Sequence, residues 1–274
     1  MEKCINLGND GYHLCAKVFK KDIQSTYEGN MKEHEHYYNI TDEKYSENFL
    51  IHIEHSSAPN ISFPLAAYHS KFLFGNISKF NNCSDLYRLT GNKIILNEKM
   101  TAKIICDILK GLKSLHNAKN NKIYCHRDLK PNNVVLNLSN EENLEANIVD
   151  AGTIREKENH NNVNSPICAV TGYRDLEDLK NGYTSVDDKT DIFAVGIIMW
   201  ELLFGRCPFA GPDFNGISTD KIIYGLEKLP ESLKLLYKNE KVSDNCKDLL
   251  SKLLTYEKND RISAEKALKH SYFK

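Results

Sequence analysis

The stretch His126-Arg127-Asp128-Leu129-Lys130-Pro131-Asn132-Asn133 decides the reading of this chain. It sets a carboxylate, an ammonium group and a side-chain amide in one short loop between apolar segments. Phosphoryl transfer needs those three groups. Asp128 can accept a hydroxyl proton, Lys130 can neutralise charge on a phosphoryl group in transit, and the Asn133 amide oxygen is a hard donor suited to Mg²⁺. The competing reading is a polar loop that ends a helix and does no chemistry.

Seven of the eight positions agree with the pattern H-R-D-L-x-x-x-N and its Lys-Pro, which weighs against the polar loop. The run resembles the catalytic loop of eukaryotic-type protein kinases, and Lys130 is the variant usual in their Ser/Thr branch. The resemblance implies an α+β, two-lobed fold. A small, reduced β-sheet lobe with one helix is expected over 1–80, and a larger, mainly helical lobe over 81–274. It also implies transfer of the ATP γ-phosphoryl group to a Ser or Thr hydroxyl, with ATP and Mg²⁺ as cofactors and a protein as substrate.

Further motifs extend the resemblance. Asp150-Ala151-Gly152 follows an apolar strand, 17 residues after Asn133, with a polar insertion between them. A hairpin there is expected to bring Asn133 and Asp150 together as hard oxygen ligands for Mg²⁺, in the manner of the family's D-F-G triplet, although Ala151 replaces the usual aromatic residue. Lys17, in Cys15-Ala16-Lys17-Val18, resembles the strand lysine that contacts nucleotide phosphates. Glu33 is its expected ion-pair partner on a helix, with Glu35 as the alternative. Asp85 is placed like an acidic residue that binds a nucleotide ribose, and is equally readable as the cap of the next turn. The resemblance therefore assigns catalysis to Asp128, Lys130, Lys17 and Glu33, nucleotide binding to Lys17, Asp85, Lys130, Asn133 and Asp150, and metal to Asn133 and Asp150.

Other matching residues read as scaffold. Glu177 resembles the A-P-E glutamate and is expected to pair with Arg261 in the interior, and Asp191 resembles the helix aspartate that braces the catalytic loop. Arg127 beside Asp128 implies coupling to a phosphate on the activation segment, for which Thr153, Ser165 and Thr171 are candidate acceptors. The histidines at 34, 36, 52, 55 and 69 match no standard zinc spacing.

The front end departs from the family. Only 16 residues precede Lys17, and Gly8 and Gly11 bracket a tight hairpin where relatives carry a glycine-rich phosphate loop. Two functions follow as expectations: a compact Ser/Thr kinase that keeps Lys17, Glu33, Asp128, Lys130, Asn133 and Asp150, or a kinase-fold binding protein, impaired in turnover, that acts as decoy or scaffold.

Composition sets outer bounds. With 274 residues, 41% of them hydrophobic and 27% charged, a packed core is expected in one large or two small domains. A net charge of −1 offers no general field for nucleic acid or for a membrane surface, and neither is expected as a partner. The longest apolar stretch, 192–204, is broken by Glu201 and too short to span a bilayer. Eight scattered cysteines without a C-x-x-C pair, and an N-terminus without a signal-like apolar region, predict reduced thiols and a cytoplasmic location. Strands are predicted at 4–7, 12–19, 49–53, 61–68, 71–77, 134–136 and 148–149, with a hinge near 80–84. Helices are predicted over 31–40, through the stripe Ile104, Ile105, Ile108, Leu109, Leu112 and Leu115, and at 191–204, 244–254 and 263–270.

Overall fold

A computed structural model describes residues 2–5, 13–20, 66–69, 73–80, 83–117, 122–137, 144–150, 153–157, 171–182, 186–208, 219–229, 231, 233 and 242–274, with backbone alone up to residue 83. The strands predicted near the start form one antiparallel sheet. Its members are β1 (Glu2–Ile5), β2 (His13–Lys20), β3 (Ala66–His69) and β4 (Leu73–Phe80), in the spatial order β1-β2-β4-β3. Lys17 lies on β2, facing Glu2 of β1 on one side and Asn76 of β4 on the other. The helix at 31–40 and the strand at 49–53, with Glu33 and Glu35, lie outside the described residues.

The connection into the second part is shorter than the sequence suggests. Phe80 and Lys79 are still paired with β2, and Cys83 already begins β5 (Cys83–Asp85). A second antiparallel sheet, β5-β7-β8, joins β5 to β7 (Val134–Asn137) and β8 (Glu145–Ile148). β8 takes in residues read from sequence as polar insertion. The reason is alternation: Ala146 and Ile148 are buried while Glu145 is exposed and Asn147 half-buried, which is how a half-buried strand presents itself. A two-stranded ladder pairs β6 (Tyr124–Cys125) with β9 (Arg155–Glu156).

Helices build the rest, giving the α+β, two-lobed protein-kinase-like class. After α1 (Tyr87–Gly91), α2 (Glu98–His116) opens on Asn97, whose side chain accepts the Met100 N–H and caps the first turn. All six members of its predicted stripe are fully buried. Further on come α3 (Leu176–Asn181), α4 (Asp188–Phe204), α5 (Thr219–Glu227), α6 (Asp244–Leu253) and α7 (Ala264–Leu268). α4 begins three residues before its predicted start, because Asp187 caps it through the Lys189 N–H at 2.8 Å. Nearly every residue of α4 is buried, so it is apolar all round and serves as the central post of the helical part. Gly196 allows that packing: a Cβ there would come within 2.6 Å of Leu254 Cδ2. The predicted helix 263–270 is shorter, ending as α7 and passing into a 3₁₀ turn at Ser271–Phe273.

One scaffold expectation is corrected. Arg261 pairs with Asp175 at 3.0 Å, while Glu177 is largely exposed and only 3.5 Å from Lys258. Residues two apart on a helix face opposite ways, so Asp175 at the N-cap of α3 turns inward and Glu177 in the first turn turns out. Arg261 also donates to the carbonyls of Thr255, Tyr256 and Lys189, and Lys258 binds Asp178 at 2.7 Å. Removing one partner from such a buried network leaves an uncompensated charge. Asp175→Ala is therefore expected to lower unfolding free energy by about 3 kcal/mol, whereas Glu177→Ala stays within about 0.5 kcal/mol. Urea denaturation of the two variants reads the difference, and equal losses would contradict the pairing.

Candidate active site

The catalytic-loop stretch hangs from a single carboxylate. The backbone N–H groups of His126 and Arg127 each donate to Asp191 on α4, at 2.8 Å, one to each oxygen. His116, at the end of α2, meets the same carboxylate through Nε2 at 3.0 Å. This is the brace expected of Asp191, and it holds Arg127 at φ 71°, a left-handed conformation that non-glycine residues seldom adopt.

Beyond that anchor the loop turns its polar groups together. Lys130 Nζ lies 2.6 Å from Asp128 Oδ2. The Asn133 side-chain N–H₂ donates to the Asp128 carbonyl at 2.8 Å and to Asp128 Oδ2 at 3.1 Å. With its nitrogen committed to Asp128, Asn133 keeps its amide oxygen for another partner. Asp128 Oδ1 is buried and has no hydrogen bond among the described residues. Buried acceptors are usually satisfied, so this oxygen calls for a partner that the described residues do not supply.

The strand leading to Asp150 is laced to this loop. The β7–β8 ladder pairs Val134 with Ile148, and the Val149 N–H donates to the Asn133 carbonyl at 2.9 Å. The expected hairpin thus exists and carries Asn133 and Asp150 to neighbouring strand ends. His126 Nε2 meets the Val149 carbonyl at 3.2 Å, and Thr153 Oγ1 donates to the His126 carbonyl at 2.7 Å. Asp150 also has a left-handed backbone, φ 66°. Two strained residues in one site are maintained only because the surrounding bonds over-determine them.

The remaining sequence-derived residues fare differently. Asp85 Oδ1 accepts the Arg88 N–H at 3.1 Å, so the capping alternative is realised. Thr153 spends its hydroxyl on the catalytic loop, which disfavours it as a phosphate acceptor. Ala151, Ser165 and the side chains of Lys17 and Thr171 lie outside the described residues, as do four of the five front-end histidines. Among the described residues no group of three or more potential ligands gathers as a metal cluster, and no helix is long and apolar enough to cross a membrane.

Sequence reasoning missed His116, the role of Thr153, and a carboxyl within α4. Glu201, noted only as an interruption of an apolar run, is 7% exposed and accepts the Tyr173 hydroxyl at 2.9 Å. Burial pushes its pKa up to about 7, and the Tyr173 hydrogen bond opposes this in part. Its partner Tyr173 stands in the 3₁₀ turn Thr171–Tyr173.

The family model described as Protein kinase domain matches residues 5–273. The chain belongs to the protein kinase family. It is 33% identical over 177 residues to calcium-dependent protein kinase 4 of Plasmodium berghei, covering 63% of this chain and 30% of that kinase. It is 30% identical over 232 residues to mitogen-activated protein kinase 14 of Xenopus laevis, covering 73% and 61%. With mitogen-activated protein kinase p38a of Drosophila melanogaster the identity is 29%, covering 80% and 64%. The chain thus spans less than two thirds of the length of these relatives.

Glu201 gives the family fold a pH-dependent component. A carboxyl whose folded pKa lies above its unfolded value binds its proton more tightly when folded, so its contribution is fully present below about pH 4.5 and is lost as pH rises through about 7. The gap is worth on the order of 3 kcal/mol at about 1.4 kcal/mol per tenfold. Relative to Glu201→Gln, the natural chain is expected to lose stability between pH 5 and pH 8. Urea unfolding at the two pH values measures it, and a constant difference would contradict the assignment.

Proposed function

We propose that this chain transfers the γ-phosphoryl group of ATP to a serine or threonine hydroxyl of a protein. The observation that carries the proposal is the arrangement at Asp128. One carboxylate oxygen is held by Lys130 and Asn133, and the other is left without a hydrogen bond among the described residues. That second oxygen is positioned to accept the proton of an attacking hydroxyl.

The other roles follow from chemistry and place. Lys130, beside Asp128, offsets negative charge as the phosphoryl group moves from its donor to the hydroxyl. The Asn133 amide oxygen and the Asp150 carboxylate are hard donors on neighbouring strand ends, a set that fits Mg²⁺. Bound Mg·ATP would supply the transferable phosphoryl group and the metal charge. Lys17 on β2, with Glu33 as its ion-pair partner, is the proposed phosphate contact, and Asp85 keeps its second oxygen for a ribose hydroxyl. Ser/Thr specificity rests on Lys130, the variant usual in the Ser/Thr branch that the loop resembles.

A second reading, a kinase-fold protein that binds partners without efficient turnover, is favoured by Gly8 and Gly11, which stand where the resemblance implies a glycine-rich phosphate loop, and by Ala151 where it implies an aromatic residue. Two substitutions separate the readings. Asp128→Asn is expected to lower kcat by about 10²–10⁴-fold with nucleotide affinity preserved, because it removes a proton acceptor. Asp150→Asn is expected to weaken Mg·nucleotide binding as well, because it removes a metal ligand. Single-turnover transfer to a Ser/Thr peptide and direct nucleotide titration measure both. Transfer at the natural rate by Asp128→Asn would refute the assignment. A natural chain that neither binds nor turns over Mg·ATP supports the second reading.

A further inference from the structure

A cavity of about 160 Å³ lies apart from the catalytic loop and shares no residue with it. Leu176 of α3, Phe193 of α4 and Leu226 of α5 form its walls, together with Leu229, Leu233 and Leu254. These side chains come from elements distant in sequence, so the void arises where four helical segments meet without filling the space between them. The space opens to solvent on one side, and an apolar recess of this size accepts a guest as large as an aromatic ring. An empty one forfeits the dispersion contacts that a guest would restore.

The polar groups at its edge decide what kind of guest suits it. Asp175 is bound by Arg261, by Lys258 at 3.6 Å and by the Asp178 N–H. Arg261 spends four of its five N–H donors on Asp175 and on three backbone carbonyls. The Thr255 hydroxyl donates to the Ser251 carbonyl. A charged guest would lose its water and meet groups already engaged, which is unfavourable. An apolar guest loses nothing of that kind.

We propose that this cavity is a binding site for a small, uncharged apolar molecule the size of one aromatic ring. The test uses the whole chain with toluene as the probe and benzoate as its charged counterpart. Leucine methyl NMR should show saturable shifts at Leu226, Leu229, Leu233 and Leu254 with toluene, accompanied by a rise in the thermal unfolding midpoint that grows with concentration. Benzoate should leave both unchanged. Leu226→Trp, which fills the space, should abolish the toluene response, and Leu233→Trp fills it from another wall should the first variant fail to fold. Neither readout depends on phosphoryl transfer. The proposal is overturned if toluene moves none of these methyls, if benzoate acts equally well, or if a folded Trp variant responds like the natural chain.

Discussion

The Asp191 carboxylate is the constraint on which the site depends. It is 1% exposed, and an ion so buried is tolerable only when its oxygens are fully engaged. Two peptide N–H groups and His116 meet that need. In return they fix the start of the catalytic loop against α4 and the end of α2. The left-handed turn at Arg127 follows from this hold, since both N–H groups must point the same way at one carboxylate. Everything downstream, from Asp128 to Asn133, is aimed by that first turn.

A second network of buried charge secures the other side of the site. Asp175, Asp178, Lys258 and Arg261 tie the start of α3 to α4 and to the turn before α7. Arg261 also lies 4.9 Å over the Phe193 ring, adding a cation–π contact inside the same knot. Exposed pairs such as Lys180 with Glu227 and Lys269 with Glu265 are of a different kind, screened by water and worth little. Glu201 adds a third hold through Tyr173, weaker and dependent on pH because its carboxyl is buried with one hydroxyl partner.

Much of the site was legible before any geometry because phosphoryl chemistry restricts which side chains serve. A proton acceptor, a cation and hard oxygen ligands at set spacings are rare by chance, so Asp128, Lys130, Asn133 and Asp150 stood out. The apolar stripe of α2 was equally plain, since helical period and burial coincide. Glu177 holds the motif position, but the inward direction depends on which residue caps α3, and that residue is Asp175. Thr153 is read from sequence as a candidate phosphate acceptor, and only the fold lays its hydroxyl against the His126 carbonyl.

The sequence by itself determined the class of fold and the chemical inventory of the site. Periodicity and residue type act locally, and both can be read along a chain. The tertiary structure alone decided which carboxylate meets Arg261, that His116 shares Asp191 with the catalytic loop, and that Glu201 sits buried against Tyr173. It also decided that six apolar side chains leave a cavity between them. Each of these depends on the meeting of segments tens of residues apart, where direction, burial and leftover space are set by packing, and no local pattern encodes them.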